Sequence, residues 1–133
     1  MRYRRLSYRY VIARATPVTQ VWGRGDLTVM FGAPQWRPDA DLCETQAAFE
    51  ITVELGGVQE DDVEIQLFED ALVIEGRRDL PASTDAVYHT ARLRRGPFRL
   101  ELPLPGPVAA DGAEVRYERG LLRVRLPKPG GTA

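Results

Sequence analysis

Two runs of alternating apolar and charged residues, joined by a glycine, fill residues 113–128 (AEVRYERGLLRVRLPK). Val115 and Tyr117 alternate with charged residues in the first run, and Leu122, Val124 and Leu126 form the second. Side chains that alternate with a period of two are typical of a half-buried strand. Because glycine adopts a positive φ without a steric clash, Arg119-Gly120 predicts a tight turn. The stretch therefore predicts an antiparallel hairpin, which any all-β protein could contain.

The same alternation recurs upstream, most clearly in residues 48–55, where Phe49, Ile51, Val53 and Leu55 share one face. Close turns between alternating runs indicate antiparallel neighbours. No internal repeat and no convincing amphipathic helix interrupts the pattern. Further strands are predicted over residues 42–45, 63–67, 72–76 and 97–104. The number and spacing of these runs predict an all-β fold, an antiparallel β-sandwich.

Phe68 lies among charged neighbours at the end of one predicted strand. One interpretation is that it covers a second apolar face of the sheet. The other is that this strand has one face in the core and one in a groove.

Residues 77–95 form the irregular interval of the chain, polar at first and containing Pro81. Residues 87–90 (Val87, Tyr88, His89 and Thr90) could form a short strand inside it. Connections of this length in compact domains are usually functional or bind a partner.

Charge is distributed in three blocks. Residues 1–38 carry seven arginines and one acid, residues 39–76 carry twelve acids and no base, and residues 77–133 carry eleven bases and six acids. Because the acidic block is also stranded, we expect its acids to line outer sheet faces. Basic and acidic blocks of one chain, or of two chains, can attract each other with a salt-sensitive strength.

Residues 1–35 are predicted to form a flexible N-terminal arm, since prolines and glycines punctuate them without a regular period. The aromatic and apolar residues of this region either pack on the domain as core or contact partners. Candidates for partner contact are Trp22, Val29, Phe31 and Trp36. A basic, aromatic arm can also bind nucleic acid, but no nucleic-acid-binding motif accompanies the arginines, so we do not expect this activity.

Several classes of protein are excluded by composition and motif. One cysteine, Cys43, and one histidine allow neither an internal disulfide nor a zinc site within one chain. No apolar run approaches the roughly 20 residues of a membrane span. No G-x-S-x-G, P-loop or H-E-x-x-H pattern is present, so we expect no enzymatic activity and no cofactor. These features, together with the lack of a signal peptide, predict a cytoplasmic protein.

The order of motifs across residues 36–128 resembles the α-crystallin domain of the small heat-shock proteins, of the bacterial type. The closing hairpin A-x-V-x-Y-x-x-G-L-L-x-V-x-L-P-K is similar to the end of that domain. The upstream matches are Trp36-x-Pro38-x-x-Asp41-Leu42-x-Glu44, Gly57-Val58, Glu60-Asp61-Asp62-Val63, Asp70-x-Leu72-x-Ile74-x-Gly76-x-Arg78, Gly96-x-Phe98 and Leu104-Pro105. The domain is thus expected at 36–128, with a short tail at 129–133.

Three positions depart from the family pattern. Gly56 replaces a proline, and Leu100 replaces an arginine, with Arg99 expected on the opposite face. The tail lacks the Ile-x-Ile/Val anchor that, in relatives, docks between the strand at 63–68 and the strand at 113–118. The resemblance therefore implies a dimer or small oligomer, without a large shell.

The resemblance also implies two surfaces. The groove that the anchor would fill is expected to be vacant and to bind clients, with Ile65, Leu67, Phe68, Val115 and Tyr117 as its lining. In bacterial and plant relatives, the long loop pairs with the partner's entry strand. Here that homodimer interface would comprise Leu42, Cys43 and Glu44 of one chain and Val87, Tyr88, His89 and Thr90 of the other.

The function that the resemblance implies is that of an ATP-independent holdase chaperone. Such a protein covers the apolar surface of unfolding proteins and prevents their aggregation. The alternative is a co-chaperone or protein-binding module of the related CS type that docks one specific folded partner. An aromatic arm and a broad client range favour the holdase, whereas a single tight partner favours the module.

Overall fold

A computed structural model describes residues 35–130 of the protein. Within this range, seven strands form two antiparallel sheets, so the predicted β-sandwich is confirmed. The four-stranded sheet has the order β1-β2-β7-β6 and the three-stranded sheet has the order β3-β4-β5. The strands are β1 (Ala40–Glu44), β2 (Ala48–Glu54), β3 (Val63–Leu67), β4 (Ala71–Arg78), β5 (Gly96–Pro103), β6 (Glu114–Glu118) and β7 (Leu121–Pro127).

The core lies between the two sheets and is built from the apolar half of each alternating strand. Phe49, Ile51 and Val53 of β2 pack in the same buried cluster as Ile74 of β4 and Phe98 of β5. The charged half of each strand faces outward, as period-two patterning requires. Among the residues that the structure describes, every polar or charged residue keeps part of its surface exposed to solvent.

The hairpin of β6 and β7 forms as the sequence predicts. Arg119 and Gly120 both adopt positive φ, 55° and 78°, which matches a two-residue turn between right-handed twisted strands. Val115 pairs with Val124 and Tyr117 with Leu122 across the hairpin, so the apolar faces coincide.

Gly76 in β4 is required by a close approach of the backbone. A Cβ atom at this position would lie 2.1 Å from the carbonyl oxygen of Asp62 and 2.6 Å from the ring of Phe98. Asp62 ends a short 3₁₀ turn, Glu60–Asp62, that leads into β3. The polar segment before β3 is therefore held directly against the middle strand of its sheet.

The interval between β4 and β5 contains no strand in the described chain. Residues 87–90 are exposed loop, so the short strand that the sequence suggested there does not form within one chain. A strand needs backbone partners, and the loop does not lie in either sheet. A second 3₁₀ turn, Ala110–Gly112, which the sequence pattern did not predict, precedes β6.

Candidate binding surfaces

Strands β3 and β6 are edge strands of different sheets, at the place where the sequence predicted an open apolar groove. Ile65, Leu67 and Val115 are each at most 3% exposed and belong to the core between the sheets. The prediction that these side chains present an open surface is therefore not met in this structure. Alternation directs them inward, where they pack against the other sheet.

Tyr117 is half-buried at the end of β6, and its hydroxyl donates a hydrogen bond to the backbone carbonyl of Leu55. The ring packs against the core while the hydroxyl satisfies a carbonyl at the end of β2. Tyr117 therefore links the β6 edge to the neighbouring turn and exposes only part of its ring.

Phe68 is 3% exposed but lies outside the core cluster between the sheets. Ala71 and Val73, which the sequence analysis did not single out, share this property and are 3% and 0% exposed. We call these three residues the outer patch, because alternation places them on the outer face of β3-β4-β5. The structure favours the interpretation of Phe68 as part of a second apolar face, and it places Phe68 outside any groove shared with Val115.

Trp36 is fixed on the domain and does not belong to a free arm. Its backbone forms a parallel bridge to Phe98 of β5, and the two ring centroids are 5.3 Å apart. Its indole Nε1–H donates to the carbonyl oxygen of Gly96. Trp36 therefore adds a backbone bridge to the three-stranded sheet beyond β5. Its side chain is half-buried.

The loop between β4 and β5 carries most of the large apolar side chains that are exposed in the described chain. Val87 is 79% exposed, Tyr88 52% and Leu93 68%. The guanidinium of Arg95 lies 5.7 Å from the ring centroid of Tyr88. Leu93 was not among the predicted partner-binding residues, and its position in a polar loop is the signal that could have identified it.

The root of this loop is held by arginine side chains. Arg78 donates from Nε and Nη2 to the carbonyl oxygen of Arg94, at 2.8 and 2.5 Å. Arg94 donates from Nη1 to the carbonyl oxygen of Arg37 at 3.3 Å. Charge-assisted bonds of this kind are stronger than neutral ones. The apolar side chains of the loop are thus presented from an anchored base.

Strand β1 forms one edge of the four-stranded sheet, and its predicted interface residues line that edge. Leu42 is half-buried, while Cys43 and Glu44 are exposed. Glu44 accepts a hydrogen bond from Lys128 Nζ at 2.6 Å. An edge strand offers backbone groups for pairing with another chain. The structure does not bring residues 87–90 of the same chain into the sheet beside β1.

Arg99 and Leu100 follow the alternation that the sequence predicted. Leu100 is buried in the core, and Arg99 faces outward with its Nη1 3.7 Å from Glu75 Oε2. Next to them, burial raises the pKa of Glu101, and Asp70 adds to this rise, while Arg99 and Arg37 oppose it. The carboxylate of Glu101 on the outer face of β5 is therefore partly shielded from water.

Trp22, Val29 and Phe31 lie outside the described residues. Within residues 35–130, no group of three metal-ligating side chains comes together. The helices of this range are too short to cross a membrane.

The fold and these surfaces define an antiparallel two-sheet domain with an anchored β4–β5 loop that exposes three large apolar side chains. The sequence model that represents the Hsp20/alpha crystallin family matches residues 41–132, well over half of the chain. The chain therefore belongs to the Hsp20/alpha crystallin family, as the sequence motifs predicted. Membership of this family supports a chaperone role, and proteins of this family are ATP-independent chaperones and not enzymes.

Individual relatives agree with this assignment. Small heat shock protein C2 of Rickettsia felis is 28% identical over 82 residues, which cover 61% of this chain and 53% of that protein. The chain thus spans about half the length of this curated relative.

Two solved structures are similar to the described fold. Heat shock protein 16.0 of Schizosaccharomyces pombe gives a TM-score of 0.66 at 28% identity, covering 74% of this chain and 93% of that one. The hspA protein of Xanthomonas axonopodis gives 0.66 at 29% identity, covering 74% and 99%.

Proposed function

We propose that the protein is a holdase, which binds partly unfolded proteins without ATP and keeps them from aggregating. The observation that carries this proposal is the family match over residues 41–132. Unfolding proteins expose apolar surface, and covering it is worth about 25 cal/mol per Å². A protein that binds the unfolded form slows its aggregation without refolding it.

Clients bind at the apolar part of the β4–β5 loop that lies outside residues 87–90 and at the apolar residues of the N-terminal segment. Leu93 supports the first site, because it is exposed on an anchored loop. Trp22, Val29 and Phe31 remain the candidates in the second. Tyr117, at the half-buried β6 edge, contributes a smaller contact.

The protein forms a homodimer in which the loop of each chain pairs with β1 of the other. The exposed edge of β1, from Leu42 to Glu44, supplies unpaired backbone groups, and residues 87–90 supply the added strand. Burying Val87 and Tyr88 in this interface would remove apolar surface from water. The one cysteine, Cys43, is exposed on this edge. A cytoplasmic location is part of the proposal, because small heat shock proteins are typically cytosolic.

The test is light scattering from two unrelated client proteins heated without ATP, with and without the full chain. We expect suppression of aggregation of both clients at ratios between substoichiometric and equimolar. Unchanged aggregation of both clients would overturn the proposal. Suppression of one client only would instead support a module of the CS type that is specific for one partner.

A matched variant links the activity to the loop. Leu93→Ser removes an exposed apolar side chain that lies outside the proposed exchange strand. We expect it to weaken suppression while leaving the dimer intact. Asp85→Asn, an exposed change in the same loop, is the control and should leave suppression unchanged.

A further inference from the structure

The outer face of the four-stranded sheet contains a depression that the proposed function does not use. Its volume is about 240 Å³, and strands β2, β7 and β6 line it. The lining residues that alternation directs outward are all polar, namely Glu50, Thr52, Glu114, Arg116, Arg123 and Arg125. Because three of them are arginines and two are glutamates, the depression carries a net positive charge.

The positive charge is concentrated in one row across the sheet. Arg123 of β7 is the register partner of Arg116 of β6, so two guanidinium groups occupy adjacent positions on the same face. On its other side, Arg123 is paired in register with Thr52, which carries no charge. Like charges directly opposite each other on a sheet are destabilising. An anion held between the two arginines would replace this repulsion with attraction.

The glutamates of the depression lie in the neighbouring row, where they flank Arg125 in register. Glu50 Oε2 is 3.8 Å from Arg125 Nε, and Glu114 Oε2 is 3.5 Å from Arg116 Nη2. The four side chains are 37% to 49% exposed. A strong charge-assisted hydrogen bond spans about 2.7–2.9 Å, and exposed ion pairs contribute little. These two contacts therefore compete weakly with an incoming anion.

The side chains of the arginine row suit an oxyanion. A guanidinium group is planar, donates two parallel hydrogen bonds to a phosphate or a carboxylate, and is more weakly hydrated than an ammonium group. A phosphate group carries up to two negative charges and three strong acceptor oxygens, so it can accept from two guanidinium groups at once. The hydroxyl of Thr52 adds a neutral donor in the same row.

We propose that Arg116 and Arg123 bind a phosphate group between them, with Thr52 as a third donor. Arg125 stays beside its two glutamates and adds positive potential to the depression. Neither the β4–β5 loop nor β1 contributes to this site, so its occupancy does not depend on the proposed dimer.

The direct test follows the arginine Nε–H signals of the full chain by ¹H–¹⁵N NMR. Sodium phosphate is added at pH 7 while sodium chloride holds the ionic strength constant, because salt screens exposed charges. We expect saturable shifts of the Arg116 and Arg123 signals. Arg123→Gln should weaken phosphate binding, followed on Arg116, at least tenfold. Absence of saturable shifts, or equal affinities of Arg123→Gln and wild type, would overturn the proposal.

A matched control removes the same charge elsewhere. Arg77→Gln changes an exposed arginine of β4, in the other sheet, and should bind phosphate as the wild type does. A loss of affinity as large as that of Arg123→Gln would show that total charge, and not the arginine row, attracts the anion, which would contradict the site.

A titration with O-phosphoserine distinguishes the two sources of a phosphate group. Tighter binding of inorganic phosphate would support the free ion as the ligand. Equal or tighter binding of the ester would support a phosphate group carried by a larger molecule.

Thermal unfolding gives a second measurement. Phosphate stabilises folded proteins in general because it is excluded from their surfaces, so the wild type is compared with Arg123→Gln in the same buffer. At a phosphate concentration about ten times the dissociation constant, we expect the Tm of the wild type to rise by roughly 5 °C more than that of the variant. Equal rises in the two proteins would contradict a bound phosphate.

Discussion

The guanidinium carbon of Arg78 lies 4.5 Å from the centroid of the Trp36 ring, and the same guanidinium donates two hydrogen bonds to the carbonyl oxygen of Arg94. One side chain at the end of β4 thus joins the entry of the domain to the end of the long loop. Arginine suits this position because its planar fork can stack on an indole and donate in its own plane.

We predict that Arg78→Lys destabilises the protein by about 1–2 kcal/mol, since lysine keeps the charge but loses the paired donors and the stacking plane. Urea denaturation measures this change. Arg77→Lys is the matched control, because Arg77 is exposed and pairs with its exposed neighbour Asp79 at 2.8 Å. It should cost less than about 0.5 kcal/mol. Equal effects of the two variants would show that the stacked arrangement contributes nothing.

Gly76→Ala should destabilise the protein by about 3 kcal/mol, because its Cβ would clash with the backbone carbonyl of Asp62, which cannot move as a flexible side chain does. Thermal unfolding measures the effect as a lowered melting temperature. Gly56→Ala is the control, since a Cβ there meets no atom within 4 Å and its φ is not positive. We expect that variant to be neutral or slightly stabilising. A melting temperature of Gly76→Ala equal to that of the wild type would contradict the close packing of the 3₁₀ turn on β4.

The strands could be predicted from the sequence because alternation reports which side chains face the core, as in Phe49, Ile51 and Val53. Whether the groove is open could not be predicted in the same way. The alternation that places Ile65 and Val115 on the apolar face of their strands also directs their side chains into the core. Whether an edge side chain stays accessible depends on the opposite sheet, which a strand's own sequence does not specify.

The burial of the outer patch could have been predicted from the sequence, although not from alternation alone. Residues 71–74 read Ala-Leu-Val-Ile, a continuous apolar run, and such runs are typical of strands buried on both faces. The anchoring of the loop by Arg78 and Arg94 could not be predicted in this way. Any residue can supply the backbone carbonyl that accepts such a hydrogen bond, so the sequence does not indicate which residue does.

The pH dependence of stability should include a contribution from Glu101. Its pKa is raised above 4.5 in the folded state, mainly by burial, so the folded protein binds this proton more tightly than the unfolded chain does. The resulting cost is absent below pH 4.5 and fully present above the raised pKa. Glu101→Gln should therefore be more stable than wild type at pH 7, with a smaller difference at pH 4.

Chemical denaturation of both proteins at pH 4 and pH 7 checks this prediction. Glu69→Gln, at an exposed position in the turn between β3 and β4, controls for the removal of one negative charge. A stability difference for Glu101→Gln that grows as the pH falls would contradict the assigned direction of the shift.

The proposed dimer depends on the two exposed apolar side chains of the exchange strand, Val87 and Tyr88. Transfer of each from water into an interface contributes about 1.5 kcal/mol or more, so the double variant Val87→Ser/Tyr88→Ser should raise the dimer dissociation constant roughly 100-fold. Analytical ultracentrifugation of the full chain over a range of concentrations measures this constant. Leu121→Ser removes an exposed apolar residue of β7, distant in sequence from the loop, and should leave the constant unchanged. An unchanged constant in the double variant would mean that the chains associate through another surface, with residues 87–90 remaining free in the assembly.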